Sequence, residues 1–236
     1  MPRPPDDLFA MLGEGPPQSE EAAEMLLLHP EWLVGPPPVQ LMAALRSIGP
    51  DLQSEVFRLG RQWPSQELSA ELLKDLSSRT DANEKEHTAW LIKHLIGPAQ
   101  WSKVAQIALS ESESTRVRRS LVEALDRLAF AGHLGWNDLR DVIGALRRSP
   151  DPVVREGVVG ILMSLEDNSE KLTLLTEMLE DDGDFVVAGA LQALAQMKDV
   201  TVDESVLERL RNHASLLVRD RAEKVELRSL RHHGNQ

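Results

Sequence analysis

From residue 83 to the last thirty positions, apolar residues recur at i, i+3, i+4 and i+7. The pattern predicts helices over 83–96, 99–110, 116–131, 136–148, 152–165, 169–179, 185–197, 204–212 and 216–228. Before that point Pro and Gly punctuate the chain at 2–5, 13–17 and 35–38. Between these breaks four shorter helices are expected. They cover 19–28 (capped by Ser19), 39–48, 52–61 (capped by Asp51) and 66–78 (capped by Ser65). No strand-like alternation is long enough to compete. Helices of this length joined by short loops pack as antiparallel hairpins.

Four segments share one pattern: Ser114-Thr-Arg-Val117-Arg118, Asp151-Pro-Val-Val154-Arg155, Asp184-Phe-Val-Val187-Ala188 and Ser215-Leu-Leu-Val218-Arg219. The Val-to-Val spacings of 37, 33 and 31 residues are those of a two-helix repeat. The leading Ser or Asp can accept from the free amides of a helix start. Pro152 stands where a missing donor costs nothing. Four and seven residues beyond each Val lie Leu121/Ala124, Val158/Ile161, Leu191/Leu194 and Ala222/Val225. Three residues beyond it the residue is small in three copies (Ser120, Gly157, Ala190), which lets helices approach, and Arg221 in the last.

This helix start, followed by a second amphipathic helix, resembles the HEAT-repeat family, in particular its short bacterial repeats. The resemblance covers about residues 112–228, is strongest at Asp151–Arg155 and weakest where Ala188 replaces the arginine. It implies an all-α solenoid of antiparallel hairpins wound as a right-handed superhelix. It also implies that Arg118, Arg155 and Arg219 pair between neighbouring repeats. On this reading residues 1–18 are a flexible segment and 19–79 are N-terminal helical hairpins. Residues 80–229 form the array, with a polar C-terminal cap, and 230–236 a disordered tail.

Composition narrows the chemistry. There is no cysteine, which removes disulfides, thiolate metal sites and thiol nucleophiles. The formal charge is −12, with 9 basic and 17 acidic residues in 1–115 and 17 and 21 in 116–236. That acidity disfavours phosphate-backbone binding. No apolar run is long enough for a bilayer and no signal peptide opens the chain. A cytoplasmic protein is expected.

Candidate sites are weak. His87 and His94 share a helix face but lack metal-ligand spacing. The run Glu180-Asp181-Asp182-Gly183-Asp184 lacks the Glu of a calcium loop, since position twelve from Asp181 is Gln192. It reads as a turn in which Asp184 caps the next helix. Trp136 with Asp138 and Asp141 invites comparison with HEAT-like alkylation-repair DNA glycosylases, against which the acidity argues. Trp136 reads as a packing residue. Arg148 and the other arginines outside the repeat position read as solvated surface. Bilin lyases with HEAT-like repeats are a second enzyme alternative. No catalytic residue, metal or cofactor is expected.

The sequence thus predicts a non-enzymatic scaffold for a protein or peptide partner, with first helices on the outer face and second helices on the concave one. Off the apolar stripe Leu139, Val142, Ile143, Leu146, the contact candidates are Asn137, Arg140, Asp141 and Arg147. Lys171, Glu177, Glu208 and Arg211 are similarly placed on the following second helices, and Trp32 is a candidate exposed anchor. Oligomeric state stays open.

Overall fold

A computed structural model describes residues 7–11, 14, 18, 21, 22, 25, 66–197, 200 and 202–233. The expected helices over 39–48 and 52–61, most of 19–28, the caps Ser19, Asp51 and Ser65, and Trp32, Trp63 and Pro36 to Pro38 lie outside these residues. Among the described residues every regular element is helical. The chain divides into two compact units, 1–106 and 107–236.

The first unit contains α1 (Leu8–Met11), α2 (Gln66–Ser78) and α3 (Ala82–Leu95). Helices α2 and α3 form a hairpin. Asp81 caps α3 by accepting from the Glu84 amide at 3.0 Å. Arg79 closes the hairpin on Asp75 and on Glu84, at 3.0 and 2.6 Å. The buried Ser69 hydroxyl accepts from the Gly97 amide at 2.8 Å and fixes the chain leaving α3. After a 3₁₀ turn at Pro98–Gln100 comes α4 (Trp101–Leu109).

The second unit carries the repeat. Its helices are α5 (Thr115–Phe130), α6 (Trp136–Leu146), α7 (Pro152–Ser164), α8 (Ser169–Glu177), α9 (Asp184–Gln196), α10 (Glu204–Arg211) and α11 (Leu216–His233). Each lies within a few residues of its expected span, with the end of α8 tightened into a 3₁₀ turn at Met178–Glu180. Ser114 caps α5 by accepting from the Val117 amide, and Asp151 caps α7 by accepting from the Val153 amide. Gly132, at φ 74°, lets α5 stop, with its amide bonded to Ala129 O and the His133 amide to Leu128 O. Asp184 is not the cap of α9. Gly183 is, and Asp184 is the first helical residue, one register earlier than in α7.

Burial follows the repeat pattern. All four valines, Val117, Val154, Val187 and Val218, are buried, as are all eight apolar residues four and seven positions beyond them. The odd-numbered helices α5, α7, α9 and α11 pack on one another in series. Two of these seams use glycine. A Cβ on Gly157 would lie 2.6 Å from Val122 Cγ1, and one on Gly189 would lie 3.2 Å from Val159 Cγ1. Each valine therefore fills the hollow a glycine leaves in the next helix. Gly157→Ala should destabilise the protein by roughly 1–3 kcal/mol, despite alanine's better helix propensity, because Val122 must move; urea denaturation reads this directly.

Arg118 and Arg155 link neighbouring repeats as expected. Both are buried. Arg118 donates to Ala108 O at 3.0 Å and to Ser149 Oγ at 3.1 Å, in the loop before α7. Arg155 makes two 2.8 Å bonds to the Asp181 carboxylate, a third contact to Asp182, and a 2.8 Å bond to Ser149 O. Arg219 departs from the expectation, for it donates to His213 O and Ala214 O in the loop before its own helix.

The second helices do not pack on one another in this way. Helix α8 packs on α9 and α10 on α11, while α6 and α8 meet through long side chains such as Arg140 and Glu170.

Candidate functional site

The space between α6 and α8 is an open groove of about 650 Å³. Helix α6 turns Leu139, Ile143 and Leu146 into the core. That leaves Trp136, Arg140, Asp141, Gly144, Arg147 and Arg148 along the groove. Its start is fixed by Asp138, whose carboxylate accepts from the Gly135 amide at 2.8 Å. The opposite wall is Ser169, Glu170, Thr173 and Leu174 of α8. Asn168 positions that wall by capping α8 at the Lys171 amide, 2.8 Å away.

Two ion pairs cross from wall to wall. Arg140 Nε lies 3.0 Å from Glu170 Oε2, and Arg147 meets Glu177. The Trp136 indole N–H also donates to Glu170, at 3.0 Å. Both pairs are open to solvent, Arg147 being half-buried, so each contributes about 0–1 kcal/mol and can exchange for a partner's groups. Gly144 opens the floor: a Cβ there would meet only the tip of Arg148, at 3.9 Å.

The sequence candidates divide. Arg140, Asp141 and Arg147 line the groove, and Glu177 reaches it through its ion pair. Asn137 is exposed on α6. Glu208 and Arg211 sit on α10 and do not line this groove, and Arg211 is held 3.0 Å from Glu204. Lys171 is not on the outer surface. It is buried, and its ammonium is spent on Leu165 O and Asp167, each at 2.8 Å. The helical wheel placed it outward, but a lysine stem can fold over apolar surface to reach a loop. Trp32 lies outside the described residues.

Sequence reasoning missed Trp136 as a groove residue, along with Gly144, Arg148 and Glu170. Trp136 sits three residues before Leu139, the first buried residue of its helix, and that position is the signal that could have marked it.

The other candidates have structural occupations. Trp90 stands between His87 and His94, with ring centroids 6.1 and 4.8 Å away. No cluster of three metal-ligating residues occurs among the described residues. In the acidic run, Asp181 and Asp182 hold Arg155, while Glu180 meets Arg209 at 2.6 Å. Burial works to raise the Asp181 carboxyl, but Arg155 and the Gly183 amide outweigh it and hold that carboxyl below the usual range.

The family model for HEAT repeats matches residues 102–195 and again 139–225. The chain belongs to the HEAT-repeat family. No curated protein matches it. Among solved structures, a designed armadillo repeat protein in complex with the peptide (KR)4 is similar at 17% identity and a TM-score of 0.46. The alignment covers 86% of this chain and 98% of that one. The α6–α8 groove falls wholly inside the first matched stretch, so the site is built on HEAT hairpins and not on an inserted element. No helix of this HEAT protein among the described residues is long and apolar enough to cross a membrane.

Proposed function

We propose that the protein is a non-enzymatic interaction scaffold that binds a protein or peptide partner on its second-helix face, at the α6–α8 groove. The observation that carries this reading is the groove itself: a half-buried indole and three guanidiniums on one wall, facing exposed acids on the other. Trp and Arg are the residue types most concentrated at binding hot spots. Neighbouring repeats hold the walls while leaving the floor open, which is how a solenoid presents a binding surface. Contact candidates are Asn137, Arg140, Asp141, Arg147 and Glu177, now joined by Trp136, Arg148 and Glu170.

Gly144→Gln is the test. There is room for its Cβ, and glutamine is a better helix former than glycine by roughly 0.5–1 kcal/mol. The variant should fold with unchanged or slightly raised stability, yet its side chain obstructs the groove floor. A partner recovered by affinity capture from the native host should bind it at least tenfold more weakly in a calorimetric titration. Unchanged affinity in the folded variant would move the interface elsewhere. Excision of an alkylated base, or a spectral shift with added bilin, would replace the scaffold reading with an enzymatic one.

A further inference from the structure

The charges lining the groove are not equally satisfied. Arg140 is matched by Glu170 and Arg147 by Glu177. Two charges have no opposite number. Arg148 makes no ion pair among the described residues; its Nε donates to Gly144 O at 2.8 Å, which folds the guanidinium along the floor. Asp141 is exposed and has neither a hydrogen-bond nor an ion-pair partner among the described residues. Asp141 lies on α6 and Arg148 in the turn just after it, on either side of Gly144, where the floor is most open.

In the free protein water solvates these two groups at no cost. A partner that covers the groove strips that water away, and a buried charge without an opposite charge is expensive. Such a partner must therefore neutralise Asp141 and Arg148. It need neutralise no other lining charge, because the two cross-wall pairs accompany each other into the interface. A uniformly basic segment would leave Arg148 facing like charge, and a uniformly acidic one would do the same to Asp141. Like-charge contact at an interface excludes partners as effectively as good contacts select them.

Building on the groove as the binding surface, we infer that it takes a peptide segment carrying one basic and one acidic side chain on the same face. The base sets against Asp141 and the acid against Arg148, while an apolar side chain of the segment lies on Trp136 and Leu174. The segment is locally dipolar and close to neutral.

Fluorescence anisotropy tests this on the full-length protein with labelled twelve-residue peptides in a common Leu/Ala frame. One set carries a Lys and a Glu at two, three or four positions apart. Matched sets carry two Lys or two Glu. The best mixed peptide should bind roughly tenfold or more tightly than either matched control at physiological salt. Asp141→Asn and Arg148→Gln should each remove most of that advantage, and Gly144→Gln should weaken all binding. A mixed peptide that binds no better than the controls, indifference to either substitution, or no binding by any peptide overturns the inference. If the captured native partner still loses affinity for Gly144→Gln while the peptides show no preference, the dipolar inference alone falls. If that partner ignores Gly144→Gln, the groove reading falls with it.

Discussion

Val154→Asp should lower the stability of the second unit by about 3–5 kcal/mol, a fall of roughly 10 °C in melting temperature. Val154 is fully buried in the first turn of α7, where the odd-numbered helices pack in series. A carboxylate there would lose its water and find no cation waiting in the apolar seam. Arg147→Ala is the control. Its guanidinium meets only the exposed Glu177, so its loss should cost about 1 kcal/mol or less. Thermal melts of the two variants, followed by circular dichroism, separate the outcomes. Equal melting temperatures would mean that the repeat register is misplaced.

The second large effect concerns Arg155. Its side chain and that of Asp181 are only 9% and 13% exposed, and their bonds join α7 to the loop before α9. Arg155→Ala strands the Asp181 carboxylate and frees Ser149 O, at a cost of about 3 kcal/mol near neutral pH. The cost should depend on pH in a definite direction. The Asp181 carboxyl is held below its ordinary range when folded, so the unfolded chain binds its proton more readily. Stability therefore rises with pH through that interval. The contribution is complete above the ordinary carboxylate pKa of about 4 and fades as pH falls through the lowered folded value. Urea denaturation of wild type and variant should show a wide gap at pH 7 that narrows in acid. A gap of constant width would assign the effect to packing and the Ser149 bond.

The architecture was legible because the repeat writes itself in residue types. Val, four and seven positions of apolar stripe, a capping Ser or Asp and a small residue recur at one spacing, and each answers to a local physical demand. The one-residue shift at α9 was not legible. Asp181, rather than Asp184, organises that turn through Arg155, and this partnership spans 26 residues of sequence. The groove was half legible. Periodicity shows which side of α6 faces out, hence Arg140, Asp141 and Arg147. It cannot show that the next second helix stands far enough away to leave a floor at Gly144. Lys171 failed for the same reason: a wheel assigns directions to Cβ atoms, and a four-carbon stem need not follow its Cβ.

The seams between odd-numbered helices are unequal. The first has both the Arg118 link and the Val122–Gly157 fit, and the second has both the Arg155 link and the Val159–Gly189 fit. The third has neither. Ala188 holds the place of the arginine, Gln192 the place of the inserted valine, and Arg219 folds back onto its own loop. Among the described residues α11 sets the buried Val218, Ala222 and Val225 into the core as it packs on α9, and the exposed Arg209–Glu180 pair bridges from α10. A linear array loses cooperativity where its nearest-neighbour coupling weakens. The last hairpin should thus behave as a separate foldon, with amides of α10 and α11 exchanging with solvent while those of α5 and α7 stay protected. The groove between α6 and α8 lies on the strongly coupled side of that break, so the end of the array can fray without disturbing the surface that meets a partner.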